Sequence, residues 1–438
     1  MKSRTLWLLF SAVLVKSLFF MFMVPPWLGN DEPNHFAYVY VLSGLADKPS
    51  AEARILESLS RNDYWKLAEM PAPPGDSAAF AQTSLMQHSE DFVGTRSPLY
   101  YWVASLPVRL FAPASVEGAL YWARGVSVLL SLLTVFFAWR SAVLLFGAGE
   151  AALLAGVIAG FHPQFSYLSS MVNSDVLAVL LFSAVFYGCV AMIVARELSG
   201  RRLAALFALL ALSLLVKRHA VILFPLAFAA VILAARSPRM AVKHGALFII
   251  VMAAALLSLE LAATDSMIRL ADRVGLSLGY SFSGPAELAA LPAGMWLRGL
   301  SIMFVTGWFT VGQMVYKQSF GFYVLYALVS GAIVAGIVAG MFRWRREPAS
   351  RTLVFALLFC LMVLAMNVGT FFSPQFMRLV SGRYLFYAIA PASILGAYGG
   401  IQFLELVKRS AWRPALFYLF LALNLIALFG YLAPLYHG

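Results

Sequence analysis

Charge is scarce in this chain. Of 438 residues, only 12% are Asp, Glu, Lys or Arg, while 62% are hydrophobic. Soluble domains carry about a quarter charged residues, so a water-facing shell around a single core is excluded. Cysteine is almost absent. Cys189 and Cys360 both fall inside apolar runs, which suggests neither a disulfide framework nor a thiolate metal centre. No period-matched internal repeat is visible, which weakens an inverted-repeat transporter reading. Acids are outnumbered and the formal charge is +12, yet no nucleic-acid partner is implied. Much of the excess sits in short loops between apolar runs: Arg196, Arg201 and Arg202; Arg236, Arg239 and Lys243; Arg343, Arg345, Arg346 and Arg351; Lys408, Arg409 and Arg413. That is the positive-inside pattern, a statement about orientation in a bilayer.

What the chain has is apolar runs of spanning length. At ~20 residues per crossing they make an all-α polytopic membrane protein with about eleven transmembrane helices. The expected spans are 5–24, 119–146, 151–170, 175–195, 203–217, 219–235, 244–263, 322–342, 352–371, 384–404 and 413–434. Lys2 and Arg4 keep the first run's start in the cytoplasm, and no small-residue cleavage site follows it, so the run reads as an uncleaved anchor. The chain then divides into a first helix (1–24), an outer loop (25–118), a helix bundle (119–263), a second outer loop (264–321) and C-terminal helices (322–438). The expected location is a bacterial inner membrane with the N-terminus inside.

Both outer loops are longer than connectors need. The first holds a candidate helix at Ser50–Met70, with Ser50 as N-cap and Ile55, Leu56 and Leu59 on one side. A Pro/Gly linker (71–76) follows, and then Arg-Ser-Pro-Leu-Tyr-Tyr-Trp (96–102) opens an apolar stretch suited to the membrane interface. The second loop carries Gly-Trp-Phe-Thr-Val-Gly-Gln (307–313), apolar but broken by glycines. Non-helical backbone at that depth is tolerated only against protein or a water-filled cavity.

The rare charges that fall on the outer side carry the chemistry. Asp31 and Glu32 follow the first helix, and Pro33 suits a helix's first turn with Asn30 or Asp31 as cap. A carboxylate at a helix N-terminus stays ionised, as a general base requires. His35 lies one turn beyond Asp31, a spacing that would suit half of a divalent-cation site, though the sequence names no other ligands and these residues would equally serve simply to start an interfacial helix. Asn173-Ser174-Asp175 opens the fourth helix as an ordinary capping sequence, but on the same membrane face. His162 lies near that face too. Lys217, Arg218 and Arg383 break the positive-inside trend. Snorkelling to lipid headgroups explains a single such cation well, while three on the wrong side suggest a phosphate site. Lys16 and Glu260 lie within apolar runs and are expected to face the bundle interior.

In their order along the chain, these pieces resemble the GT-C superfamily, the polytopic glycosyltransferases that use sugars carried on polyprenyl phosphate. The matching elements are Asp31-Glu32, the segment 96–102, Asn173-Ser174-Asp175, and Lys217 at the outer end of the fifth helix. A Pro-Pro-x-x-Gly-x-Asp-Glu-x-x-His start (25–35), a Gly-Arg-Tyr-Leu segment (382–385) and an aromatic-glycine segment near 307–312 are most similar to a bacterial branch of membrane proteins. The resemblance implies that Asp31 is the catalytic base and that Lys217 and Arg383 lie near the lipid phosphate. Arg96-Ser97 stands where a relative often has Lys-Pro. Some relatives use a divalent ion and others do not, which leaves a metal cofactor open.

The expected activity is transfer of a sugar, with inversion, from a polyprenyl-phosphate donor to an envelope glycan or lipid acceptor on the outer face. Asp31, Glu32 and Asp175 are the catalytic candidates. His35, Arg96, Tyr100, Asn173, Lys217, Arg218, Arg383 and Tyr384 are the substrate-binding ones. The rivals are a transporter or flippase of lipid-linked sugars, a glycan polymerase, and a non-catalytic scaffold.

Overall fold

The computed structural model describes residues 3–67, 99–262, 288–311, 316–344, 349–372 and 380–437. Among them, seven helices are long and apolar enough to cross a membrane: Arg4–Met23, Val116–Phe146, Asp175–Ala195, Phe320–Phe342, Ser350–Phe371, Gly382–Leu406 and Ser410–Tyr436. Two shorter apolar helical segments, Glu150–Gly160 and His219–Ala234, add to these. This is a multi-pass membrane protein. The only strands among the described residues are Thr310–Val311 and Tyr316–Lys317, a two-residue antiparallel ladder.

The helix Asp175–Ala195 is apolar nearly all round and buried on most of its surface, the pattern of a central element rather than a surface one. It packs against Val116–Phe146, Gly200–Val216 and Leu223–Ala234. Elsewhere small residues let backbones meet. A Cβ on Gly336 would run into the Gly399 carbonyl, so the helices Phe320–Trp344 and Ile389–Leu406 cross at the distance only glycine permits.

Several expected boundaries move, each for a local reason. The span expected at 151–170 is two helices, Glu150–Gly160 and Pro163–Leu168. Pro163 lacks an N–H and pushes His162 into an extended conformation (φ −67, ψ 122). The helix expected at Ser50–Met70 is Lys48–Arg61, because Asp47 is its cap and accepts from Ser50 N at 3.1 Å. Residues 68–98 lie outside the described residues, so the Pro/Gly linker and Arg96 do too. In the segment expected to form the second outer loop, the helix Ala293–Trp308 runs through Gly307, and the backbone turns extended only at Phe309. The last span is α-helical over Arg413–Leu425 and widens to a π-helix over Ile426–Leu432.

Two features shape the end of the bundle that carries Asp31 and Asp175. Lys217 is extended (φ −145, ψ 132) between the helix Gly200–Val216 and a 3-10 turn at Arg218–Ile222, so a charged residue sits where the chain reverses. Arg383 belongs to a second 3-10 segment, Gly382–Ala388, which leads into Ile389–Leu406. Gly382 is held hard against the helix Ala293–Trp308: its N–H donates to Thr306 Oγ1 at 2.6 Å. A Cβ there would run into the backbone of Met303 and Gly307.

Candidate active site

The neighbours Asp31 and Glu32 point to different worlds. Glu32 opens the helix Glu32–Leu42 and is fully buried. Its carboxylate forms a two-pronged pair with buried Arg124, from Nε at 2.8 Å and Nη2 at 2.6 Å. It also accepts from Val172 N at 2.9 Å and Gly29 N at 3.3 Å. The rest of the Arg124 guanidinium donates to the carbonyls of Met21, Val24 and Pro25. This knot ties the end of the first helix, the loop after it and the approach to Asp175 into one piece. A buried pair so fully hydrogen-bonded meets the condition under which such pairs persist.

Asp31 occupies the cap position of the same helix, but its side chain makes no capping bond. Its backbone is left-handed (φ 57, ψ 19), a conformation that costs an L-residue about 1 kcal/mol and that Asp tolerates better than most. The result is a carboxylate turned away from the helix. Arg383 Nη1 donates to Asp31 Oδ2 at 3.2 Å. The Asp31 side chain keeps 45% of its surface exposed, against 3% for Asp175 and none for Glu32. Of the three acids, only Asp31 is open to an incoming molecule.

Asp175 is the buried hub. It starts its helix with its N–H donating to Asn173 Oδ1 at 2.7 Å. Lys217 Nζ lies 2.8 Å from Oδ1, Tyr387 Oη donates to the same oxygen at 3.2 Å, and Arg383 Nε stands 3.8 Å from Oδ2. Arg383 therefore bridges the two aspartates. Its plane lies 4.9 Å over the ring of Tyr384, whose hydroxyl accepts from Nη2 at 2.9 Å. Lys217 and Arg383 remain 20% and 18% exposed, so each can still meet an anion. Burial works to raise the Asp31 carboxyl, but Arg383, with help from His35, outweighs it and holds the group below the ordinary carboxylate range.

The other sequence candidates fall around this cluster in different ways. His35 is buried with Nδ1 2.8 Å from the Tyr101 hydroxyl. Tyr100 is buried; its hydroxyl pairs with Ser127 at 2.8 Å and accepts from Asn173 N at 3.0 Å, so it braces the loop before Asp175. Asn173 is buried as well. Tyr384 stacks on Phe371 at 5.0 Å. His162 stacks on Trp308 at 5.0 Å and meets Phe386 edge-on, apart from the charges. Lys16 is buried among the rings of Phe20 and Phe161, with Nζ donating to Ser166 Oγ at 2.8 Å. Arg96 lies outside the described residues, as do the side chains of Arg218 and Glu260. Among the described residues no three His, Cys, Asp or Glu side chains are gathered for a metal ion. The carboxylates of Asp31 and Asp175 are instead balanced by Arg383 and Lys217.

Sequence reasoning missed Arg124, Tyr387 and Thr306. Arg124 had a usable signal: a cation one-third of the way along an apolar span needs a partner, and Glu32 was the acid nearest that face. Tyr387 and Thr306 gave none, because a hydroxyl in an apolar run is ordinary.

With this geometry in place, known proteins give its context. The dolichyl-phosphate-mannose-protein mannosyltransferase family matches residues 95–262, less than half of the chain but including Asp175 and Lys217. Archaeal oligosaccharyltransferase AglB from Archaeoglobus fulgidus, in complex with an inhibitory peptide and a dolichol-phosphate, superposes with a TM-score of 0.53 at 13% identity. That match covers 100% of this chain and 56% of that one. ArnT from Cupriavidus metallidurans bound to undecaprenyl phosphate gives a TM-score of 0.51 at 13% identity, over 100% of this chain and 74% of that one. The chain has the GT-C fold. A second structure of the Archaeoglobus fulgidus enzyme, tethered with an acceptor peptide, agrees at a TM-score of 0.52 and 14% identity, over 98% of this chain and 55% of that one. The chain thus spans a little over half the length of the archaeal oligosaccharyltransferases. No curated protein sequence matches it.

Proposed function

We propose that this protein is a glycosyltransferase that moves a sugar from a polyprenyl-phosphate carrier to an envelope glycan or lipid acceptor, on the outer face of a bacterial inner membrane and with inversion. The observation that carries the reading is the single cluster of Asp31, Arg383, Asp175 and Lys217, in which one carboxylate is exposed, partly exposed Arg383 bridges it to Asp175, and partly exposed Lys217 pairs with Asp175. The structures of similar fold that hold dolichol-phosphate and undecaprenyl phosphate support it.

In this reading the donor's phosphate meets Lys217 and the fork of Arg383, which favour the negative charge that grows on the leaving phosphate. Arg383 shifts part of its bonding from Asp31 to the phosphate. Asp31 then accepts the proton of the acceptor hydroxyl as that oxygen attacks the anomeric carbon from the face opposite the departing phosphate. The anomeric C–O bond to phosphate breaks with its electron pair going to the phosphate, so one displacement inverts the centre. Asp175 acts as a positioning residue that holds both cations, and Glu32 with Arg124 holds the backbone that aims Asp31. His35, Tyr384 and, within the undescribed parts, Arg96 and Arg218 remain proposed substrate contacts.

The test is turnover in proteoliposomes supplied with polyprenyl-phosphate sugars and glycan acceptors, read as polyprenyl phosphate released together with glycosylated acceptor. Loss of a general base typically costs about 10²–10⁴ in rate, so Asp31→Asn is expected to lose transfer by that much while keeping its fold. Wild-type turnover by Asp31→Asn removes Asp31 from the base role. Carrier movement across the bilayer without bond formation would replace transfer with transport. Comparing envelope glycans with and without the gene by mass spectrometry names the sugar through the mass that disappears.

A further inference from the structure

We propose that the end of the molecule opposite the carboxylate cluster binds an anionic glycerophospholipid, with one acyl chain in a groove between four helices and the phosphate on Lys408 and Arg409. The groove lies between Glu150–Gly160, Phe320–Trp344, Ile389–Leu406 and Arg413–Leu425 and encloses about 400 Å³. Ligand sites commonly enclose about 300–1,000 Å³. Its walls include Ile158, Ile333, Leu404 and Leu416, and every lining residue is apolar or glycine. Gly396 and Gly400 open it by withholding side chains: a Cβ on Gly400 would press on Leu416.

The groove descends away from the reacting groups. Arg383 precedes the helix Ile389–Leu406, whereas Gly400 and Leu404 lie in its far half. One turn past Leu404 come Lys408 and Arg409, both exposed. Arg413, at the start of the next helix, is already committed: it lies 2.7 Å from Glu405 and 3.8 Å from Glu150. Lys408 and Arg409 have no carboxylate within ion-pair distance among the described residues. Lys408 also sits where glycine is the usual solution. Its φ is 57 and Arg409 N donates to Leu404 O at 2.7 Å, closing the capping turn that ends the helix. A lysine is kept there despite its conformational cost. Trp412, 62% exposed beside this turn, marks the depth of the interface. An apolar chain-sized groove, one turn from two cations that have no ion pair among the described residues, is the complement of an anionic lipid, and basic sites between helices recognise such headgroups.

The delipidated full-length protein, titrated in detergent with phosphatidylglycerol and with phosphatidylcholine of the same chains, separates the possibilities by native mass spectrometry. One phosphatidylglycerol per chain is expected to survive, preferred at least tenfold. The double variant Lys408→Ala/Arg409→Ala is expected to abolish that preference, since each cation near an anionic surface is worth about fivefold and the two together about 25-fold. Ala332→Phe, which fills the groove from the helix Phe320–Trp344, is expected to weaken both lipids equally. Unchanged thermal midpoints of the lipid-free variants show that they are folded. Equal binding of the two lipids by the wild type, or undiminished binding by Ala332→Phe, overturns the proposal. Displacement of phosphatidylglycerol by undecaprenyl phosphate overturns it too and gives the groove to the carrier's tail. None of these readouts depends on glycosyl transfer.

Discussion

Two acidic residues adjacent in sequence do opposite work, and the difference lies in one backbone rotation. The left-handed turn at Asp31 (φ 57) sends its carboxylate toward Arg383, while Glu32 enters the helix and goes inward to Arg124. Their substitutions should therefore fail differently. Glu32→Gln leaves the Arg124 guanidinium buried without a countercharge, and breaking such a pair costs about 3–5 kcal/mol. A marked drop in the thermal midpoint in detergent is expected for Glu32→Gln, against little change for Asp31→Asn; equal midpoints would refute the division of labour. The pH dependence follows from the same contacts. Because Arg383 and His35 outweigh burial, the Asp31 carboxyl is held down. Its ion pair thus stabilises the protein above the ordinary carboxylate pKa of about 3.9, and that contribution is lost as pH falls through the lower folded value. The acid limb of kcat/KM is expected below about pH 4 in the wild type. In Arg383→Gln, burial and the Asp175 charge are opposed by His35 without Arg383, so the limb of the residual activity should move up. A limb that stays put would show that Asp31 does not set it.

At the scale of elements, the site depends on a short 3-10 segment clamped by a glycine. Gly382 meets the helix Ala293–Trp308 backbone to backbone and donates to Thr306, which fixes where Arg383 can stand between Asp31 and Asp175. Gly382→Ala forces the segment away from Met303 and Gly307, where no flexible side chain can give way. Transfer is expected to fall at least tenfold, with the loss appearing in donor KM because a displaced Arg383 no longer meets the phosphate. Unchanged KM would show that the clamp does not position the cation. The elements themselves were largely legible in the sequence, since apolar runs of spanning length and charges at their ends have few other readings. The helix Asp175–Ala195 follows from that pattern alone. Boundaries set by one side chain were less legible: Asp47 takes the cap from Ser50, and Pro163 cuts a span in two. Among site residues, Asp31, Asp175, Lys217 and Arg383 stand out because charge is rare here. That Tyr100 braces the loop before Asp175 depends on a contact 73 residues apart, from Asn173 N to Tyr100 Oη, which no local pattern encodes.

Across the whole molecule, the charges sort by end. Asp31, Asp175, Lys217 and Arg383 meet at one end of the bundle. Arg196, Arg202, Arg236, Arg351, Lys408, Arg409 and Arg413 lie at helix ends and loops of the other. Arg236 Nε donates to Arg196 O at 2.9 Å, which joins two of those basic loops. The positive-inside rule, applied to these basic loops, predicts that the carboxylate cluster faces outward, as the proposed reaction between a flipped carrier and an envelope acceptor requires. Single cysteines in a chain lacking Cys189 and Cys360 test this directly. Ser50 and Ser410 are both exposed, one in the segment expected to face outward and the other in the last basic loop. Ser50→Cys is expected to react with a membrane-impermeant maleimide in intact cells, and Ser410→Cys only after the membrane is opened. The reverse labelling would place the cluster in the cytoplasm, beside nucleotide sugars instead of an outward-facing lipid-linked donor. The cations beside Asp31 would then need a different phosphate to explain them.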